Sequence, residues 1–449
     1  MTTKQEKLFR EYSVWRAIGA MAVPAMVSMV VMILYNIEYM FFVGRTGDMA
    51  QVAAVSVVGP VFTVLMAIGS MLGGGGCVLI AKTLGQKDET TAKLYSSLCC
   101  WGSLAFGVLF AAIVLPLRTP LLRFLGANAD MWDHARTYLT ILALGAPIMV
   151  FTTGFGGVLR AEGAIKESMI CNLTATAVNI LLDPLFILTF QMGAGGAAIA
   201  TVLGNAVGAL FLVAYILRGK TNFTLSPAPA FRKPLALSKV VAIGLPNAMS
   251  SVLVGVASAI SNRLLVQYGT ATVAAMGAAG KATMVISMIQ MGICLGVQPL
   301  LAYCYGERNL SRIREILIKL SALTIAIGLG VTLLCLCKGR EVVALFLDDP
   351  KALSLGQDMI RLLVLSGPFL GLYYIGSGFL QAAGNAVQAT LVSMLRQGIF
   401  LIPLLYGMNA LLGMTGNIAA HILSDIAAAA VATILALAQY RKLKKEPAA

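Results

Sequence analysis

The chain has 449 residues, of which 59% are hydrophobic and 12% charged, and its mean hydropathy is +0.86. Soluble domains carry about 25% charged residues, so this composition excludes a water-soluble globule and predicts an all-α polytopic membrane protein. The net charge of +14 would suit a nucleic-acid partner, but the placement of the basic residues argues for membrane topology instead.

The tail MTTKQEKLFREYSVWR is followed by an apolar run, residues 17–35, that is too long for the core of a cleavable signal and reads as a first membrane helix. Nearly uncharged runs recur at 52–80, 99–117 and 141–159. Each can cross about 30 Å of hydrocarbon at about 1.5 Å per residue. Lys and Arg cluster at Lys4 to Arg16, Lys82 to Lys93, Arg160 and Lys166, Arg218 to Lys239, Arg308 to Lys319, and Arg441 to Lys445. These clusters fall on every second loop. The positive-inside bias places them, with both termini, on the cytoplasmic side of the cell (inner) membrane. The inner loop at 383–387 carries no Lys or Arg. The expected partners are the lipid bilayer and a small-molecule substrate, with no nucleic acid, and the chain is expected to act as a monomer.

The chain is two copies of one unit. GVLRAEG (157–163) matches GFLQAAG (378–384) at an offset of 221 residues, which also carries Gly59 onto Gly280, Gly85 onto Gly306, Pro147 onto Pro368 and Gly195 onto Gly416. Pro24 and Pro246 differ by 222. Six helices fit each half, at about 14–43, 50–81, 93–117, 136–160, 168–189 and 194–217, then 239–268, 271–305, 311–338, 357–382, 386–408 and 413–440. Six crossings return the chain to its starting side. The reading is therefore twelve transmembrane helices in two six-helix lobes, 1–217 and 239–449, joined by a cytoplasmic linker at 218–238 and related by a pseudo-two-fold axis along the membrane normal. Outer loops are expected at 118–135 and 338–356. GSMLGGGG (69–76) lacks the preceding strand and following Lys-Ser/Thr of a phosphate loop, so close helix contact or a flexible helix is its expected use. The eight Cys have no metal-ligand partners in sequence and read as buried thiols, with no cofactor and no metal beyond a possible Na⁺.

NILLDPLFIL (179–188) sets a carboxylate and a proline inside an apolar helix. Asn179 and Asp183 are i and i+4 and share a face, while Pro184 frees the carbonyl of Ile180. An Asp at a helix centre lies about 2.5–3.5 kcal/mol uphill. It is therefore expected to face the bundle interior, protonated or bound to a hard cation. The competing reading is a structural pair with a buried Lys or Arg, but no helix centre in the first half offers one.

These segments resemble a known family. VNILLDPLFIL with GAGGAAIATVLGN (178–188 and 193–205), MILYNIEYMFFVGRTGD, LRAEG, GVQPLLAYCYGERN and FLQAAGNAVQATLVSMLRQGIFLIPLLYGM are similar to motifs of the multidrug and toxic compound extrusion (MATE) transporters, nearest the DinF-like branch. The resemblance implies export of organic cations and other amphiphiles in exchange for H⁺ or Na⁺, with a first-lobe cation site of Asn179, Asp183 and Thr201. In such transporters a first-helix Asp completes the site. Here Tyr39 stands in its place and Glu38 precedes it, so Glu38 enters as a candidate member. Tyr138 matches a Tyr near that site, with an interfacial anchor as the alternative, and Pro24 is either a hinge or an ordinary tolerated kink.

The second half has Leu404 where the first has Asp183. Its intramembrane polar residues are Arg263, Lys281, Gln290, Gln298, Arg396, His421 and Asp425. Arg396 or Lys281 is expected to pair with Asp425, structurally in the preferred reading and as a second proton relay or substrate contact in the other. His421 reads as a satisfied core histidine. Met276, Met284, Met288 and Met291 lie on one helix, either as packing or as an adaptable binding surface. The expected substrate-cavity residues are thus Tyr138, Met288, Gln290, Arg263, Lys281, Arg396 and Asp425. The function read from all this is a secondary active antiporter exporting amphiphilic, cationic small molecules by alternating access. The alternative is a flippase for a lipid-linked or bulky anionic precursor. An intramembrane enzyme would need a nucleophile–base set or metal cluster, which neither His134 nor His421 supplies, and no channel filter is recognisable.

Overall fold

The computed structural model describes residues 3–44, 48–218, 221, 223–344 and 350–445. Among them the regular structure is helical, without a strand. A short α1 (Thr3–Arg10) precedes α2 (Val14–Gly44), α3 (Met49–Gly85), α4 (Glu89–Phe124), α5 (Trp132–Val158), α6 (Ile165–Pro184) and α7 (Gly193–Leu217). After the small α8 (Ala228–Arg232) come α9 (Leu237–Leu265), α10 (Thr270–Gly306), α11 (Leu310–Ala344), α12 (Pro350–Leu363), α13 (Gly367–Ala382), α14 (Ala386–Met394) and α15 (Leu401–Lys445). Eleven stretches are long and apolar enough to cross a membrane. The last, Ala386–Lys445, is broken at Gly413, where φ is +61° and ψ −138°. That backbone conformation suits glycine alone, and the break makes twelve membrane-crossing segments among the described residues.

Several helices are longer than predicted. α4 runs on through Pro116 and Pro120 to Phe124, and α5 starts at Trp132, so the expected outer loop at 118–135 contracts to 125–131. α11 breaks at its expected end, Lys338, where φ is −121° and ψ 23°, and a further helical stretch runs on to Ala344 before α12 begins at Pro350. Hydropathy reports only the part of a helix within the oil, whereas backbone hydrogen bonding carries the helix into the aqueous flanks. On the opposite side, Asp88 caps α4, accepting from the Thr91 amide at 3.0 Å. Hydrogen bonds from Thr91 hold its carboxyl below the usual carboxylate range.

The contacts divide the chain into two compact units, residues 1–11 with 27–248 and residues 12–26 with 249–449. The division cuts α2 after Met26 and α9 after Ala248, each two residues past a proline, Pro24 and Pro246.

In the first unit α5 is the central helix, packed on α3, α4 and α7. Glycine lets backbones meet there. A Cβ on Gly73 would stand 2.7 Å from the Gly154 carbonyl oxygen, and one on Gly75 would stand 2.0 Å from the Val240 oxygen at the start of α9. The run 69–76 is therefore a helix-contact surface in the middle of α3. Gly75→Val is expected to abolish the monodisperse peak in fluorescence-detected size exclusion. Gly59→Val, where a Cβ would meet nothing within 4 Å, should leave that peak intact. The connection from α7 to α8 is strapped along α4. Trp101 Nε1 donates to the Leu225 carbonyl at 3.0 Å, Ser97 Oγ donates to the Ser226 carbonyl at 2.6 Å, and the Thr224 amide donates to Ser96 Oγ at 3.2 Å.

In the second unit α10 packs on α12 and α13, and α13 on α11 and α15. Gln290 Nε2 donates to the carbonyls of Thr324 (3.2 Å) and Gly367 (2.9 Å). The repeat is visible atom by atom. Gly107 of α4 lies against Pro147 of α5, its missing Cβ 2.8 Å from the proline nitrogen, and Gly328 of α11 lies against Pro368 of α13 at 2.7 Å. Both members of each pair are related by the offset of 221. Seven of the eight cysteines are buried, but Cys337 is exposed, a correction to the reading of all eight as core thiols. Hydropathy marked its segment as membranous without showing which side of the helix faces out.

Candidate functional site

Pro184 has no amide hydrogen to donate back along α6. The helix responds with a π turn, Leu185–Thr189, closed by Phe190 N to the Leu185 carbonyl at 2.9 Å. Such turns concentrate at functional positions. This one begins two residues after Asp183, which is fully buried at 0% exposure. Asn179, one turn earlier, and Thr201 on α7 are also buried. Asn179 Nδ2 donates to Thr201 Oγ1 at 3.4 Å, and Thr201 Oγ1 donates to the Ala197 carbonyl at 3.0 Å. Asn179 Oδ1 is buried and has no hydrogen-bond donor among the described residues. Gly204 makes the approach possible, since a Cβ there would stand 2.5 Å from the Ala175 carbonyl oxygen and 3.2 Å from Asn179 Cβ. A carboxylate, a carboxamide and a hydroxyl thus lie on two adjacent helices within one unit, and their oxygens suit a hard cation or a proton.

Glu38 lies on α2, but its side chain falls outside the described residues, as does that of Tyr39. Tyr138 is only 5% exposed, which rules out a lipid-facing anchor. In the second unit Arg396 and Asp425 come together, with Arg396 Nε donating to Asp425 Oδ1 at 2.8 Å. Gln290 is engaged as the strap to α11 and α13, Met288 is half-buried, and Arg263 and Lys281 are exposed. Arg396, not Lys281, is therefore the ion-pair partner. Its side chain sits on a second π turn, Leu395–Ile399. His421 corrects the expectation of a satisfied histidine, for its Nε2 is buried without a hydrogen-bond partner among the described residues. Composition showed one histidine in grease but not which way the ring points.

Sequence reasoning missed Tyr373 and Tyr374, whose rings lie 4.8 Å and 5.5 Å from the Arg396 guanidinium. A Tyr pair in an apolar helix carries no spacing signal that marks it as a cation partner. It also missed Glu162, fully buried and accepting from Thr221 Oγ1 at 2.7 Å. The carboxylate in LRAEG was the available hint.

The sequence profile of the MatE family matches residues 24–185 and again 246–406, one match in each half. The chain belongs to the MatE family. The multidrug export protein MepA of Staphylococcus aureus (strain MRSA252) is 29% identical over 439 residues, covering 97% of this chain and 96% of that protein. A multidrug resistance MATE family transporter of the MOP superfamily, solved in an outward-facing conformation, superposes with a TM-score of 0.91 at 25% identity, covering 99% of this chain and 100% of the other. A MATE protein solved in complex with MaL6 gives 0.92 at 26% identity and covers the same shares. As a MATE protein the chain is a multi-pass membrane transporter and not an enzyme.

Proposed function

We propose that this transporter is a secondary active antiporter that exports amphiphilic, cationic small molecules across the cell membrane in exchange for H⁺ or Na⁺, with Asn179, Asp183 and Thr201 as its coupling site. The observation that carries this reading is the buried oxygen cluster on α6 and α7, with Asp183 fully enclosed and the Asn179 Oδ1 lone pairs unclaimed among the described residues. The relatives' description as multidrug export proteins supports drug-like cargo. A cation entering from outside would neutralise Asp183, and substrate and ion would then weaken each other's binding by linkage. Both termini lie in the cytoplasm in this reading, the two lobes are 1–217 and 239–449, and the protein works as a monomer. The flippase alternative has one basic group fewer to draw on, because Arg396 is committed to Asp425.

Purified protein in liposomes, loaded with a fluorescent organic cation and given either a pH gradient or a Na⁺ gradient, tests the proposal. Efflux is expected under one imposed gradient and not under its reverse. Efflux indifferent to both gradients would remove the antiport reading.

A further inference from the structure

The two repeats act as controls for one another. The offset of 221 carries Ala175 onto Arg396, Gly204 onto Asp425, Ala200 onto His421, and Thr152–Thr153 onto Tyr373–Tyr374. In the first unit Ala175 and Gly204 form a tight contact, backbone against backbone, with no charge. At the same place in the second unit sits an ion pair whose side chains are only 10% and 14% exposed. Helices of this fold therefore pack here without ionisable groups. Taking two charges out of water costs several kcal/mol per ion before any attraction offsets it, and intramembrane charges are kept chiefly where they have a task.

The surroundings suggest what that task is. Arg396 is held rigidly, its Nε on Asp425, its Nη1 donating to the Tyr374 hydroxyl at 3.4 Å, its guanidinium over the Tyr373 ring, and its carbonyl accepting from Ser424 Oγ. His421 lies four residues before Asp425 on α15 and so shares its face. The groups that act on the imidazole are Asp425 from its own helix and Arg396 from the π turn, and Tyr373 and Tyr374 of α13 close the site from the side of Arg396. Asp425 thus has one permanent cation and, one turn away, a ring that can become a second.

We infer that His421, Asp425 and Arg396 form a proton-binding site in the second unit, where His421 takes up the proton and Asp425 then shares its charge between imidazolium and guanidinium. The site does not depend on coupling at Asp183.

The chain has two histidines, so His134→Gln leaves a single imidazole to observe. Full-length protein labelled with ¹⁵N-histidine in lipid nanodiscs should show that resonance passing from the neutral to the charged form between about pH 5 and 8. The midpoint should shift in Asp425→Asn and stay put in Asp183→Asn. An imidazole that keeps one form across the range in the otherwise unaltered protein would overturn the inference without recourse to the Asp425 variant. So would a titration that ignores Asp425→Asn. Loss of efflux in Asp183→Asn bears only on the first-unit coupling site and leaves this result standing.

Discussion

Asp183→Asn is expected to reduce gradient-driven efflux to the level of empty liposomes while the protein still inserts and purifies in normal yield. The substitution keeps the shape of the side chain and removes its charge. A neutral amide is easier to place in hydrocarbon than an Asp, whose cost at a helix centre is about 2.5–3.5 kcal/mol, so insertion should not suffer. The contact between Asn179 and Thr201 at 3.4 Å does not involve position 183 and should be undisturbed. What disappears is the choice between an ion and a substrate. In the parent protein the affinity for a lipophilic cation such as tetraphenylphosphonium should fall by about tenfold when the coupling ion is supplied, within the usual range of coupling energies. In the variant that dependence should vanish. Equilibrium binding at several pH values and Na⁺ concentrations reads the effect directly, and full efflux by the variant would end the role given to Asp183.

The second large effect concerns stability. Arg396→Met should destabilise the protein by about 3–5 kcal/mol, the usual penalty for leaving one buried charge without its partner. The Asp425 carboxylate, 14% exposed, would lose its guanidinium partner. The double variant Arg396→Met/Asp425→Leu should regain most of that loss, because it approaches the uncharged packing of Ala175 and Gly204 in the first repeat. Thermal unfolding in detergent, followed by size exclusion, measures both. A double variant no better than the single one would show that the pair is required for packing.

Much of this was legible in the residues. The bilayer demands apolar segments of fixed minimum length, so hydropathy located the crossings, and the repeat was readable from small residues such as Gly59/Gly280 and Pro147/Pro368 because each unit needs the same close contacts. Asp183 announced itself because a carboxylate in oil is costly wherever the helix turns, and Pro184 because its missing amide hydrogen acts locally. None of these depends on knowing which helices are neighbours. The rest did depend on it. Arg396 and Lys281 were equal candidates for Asp425 until the rotation of the π turn at Leu395–Ile399 aimed one of them across to α15. The unsatisfied ring of His421, the burial of Tyr138, the tyrosines around Arg396 and the approach of Val240 to Gly75 follow from helix rotation and crossing geometry. Those are set by packing between segments far apart in the chain, and a linear pattern carries no record of them.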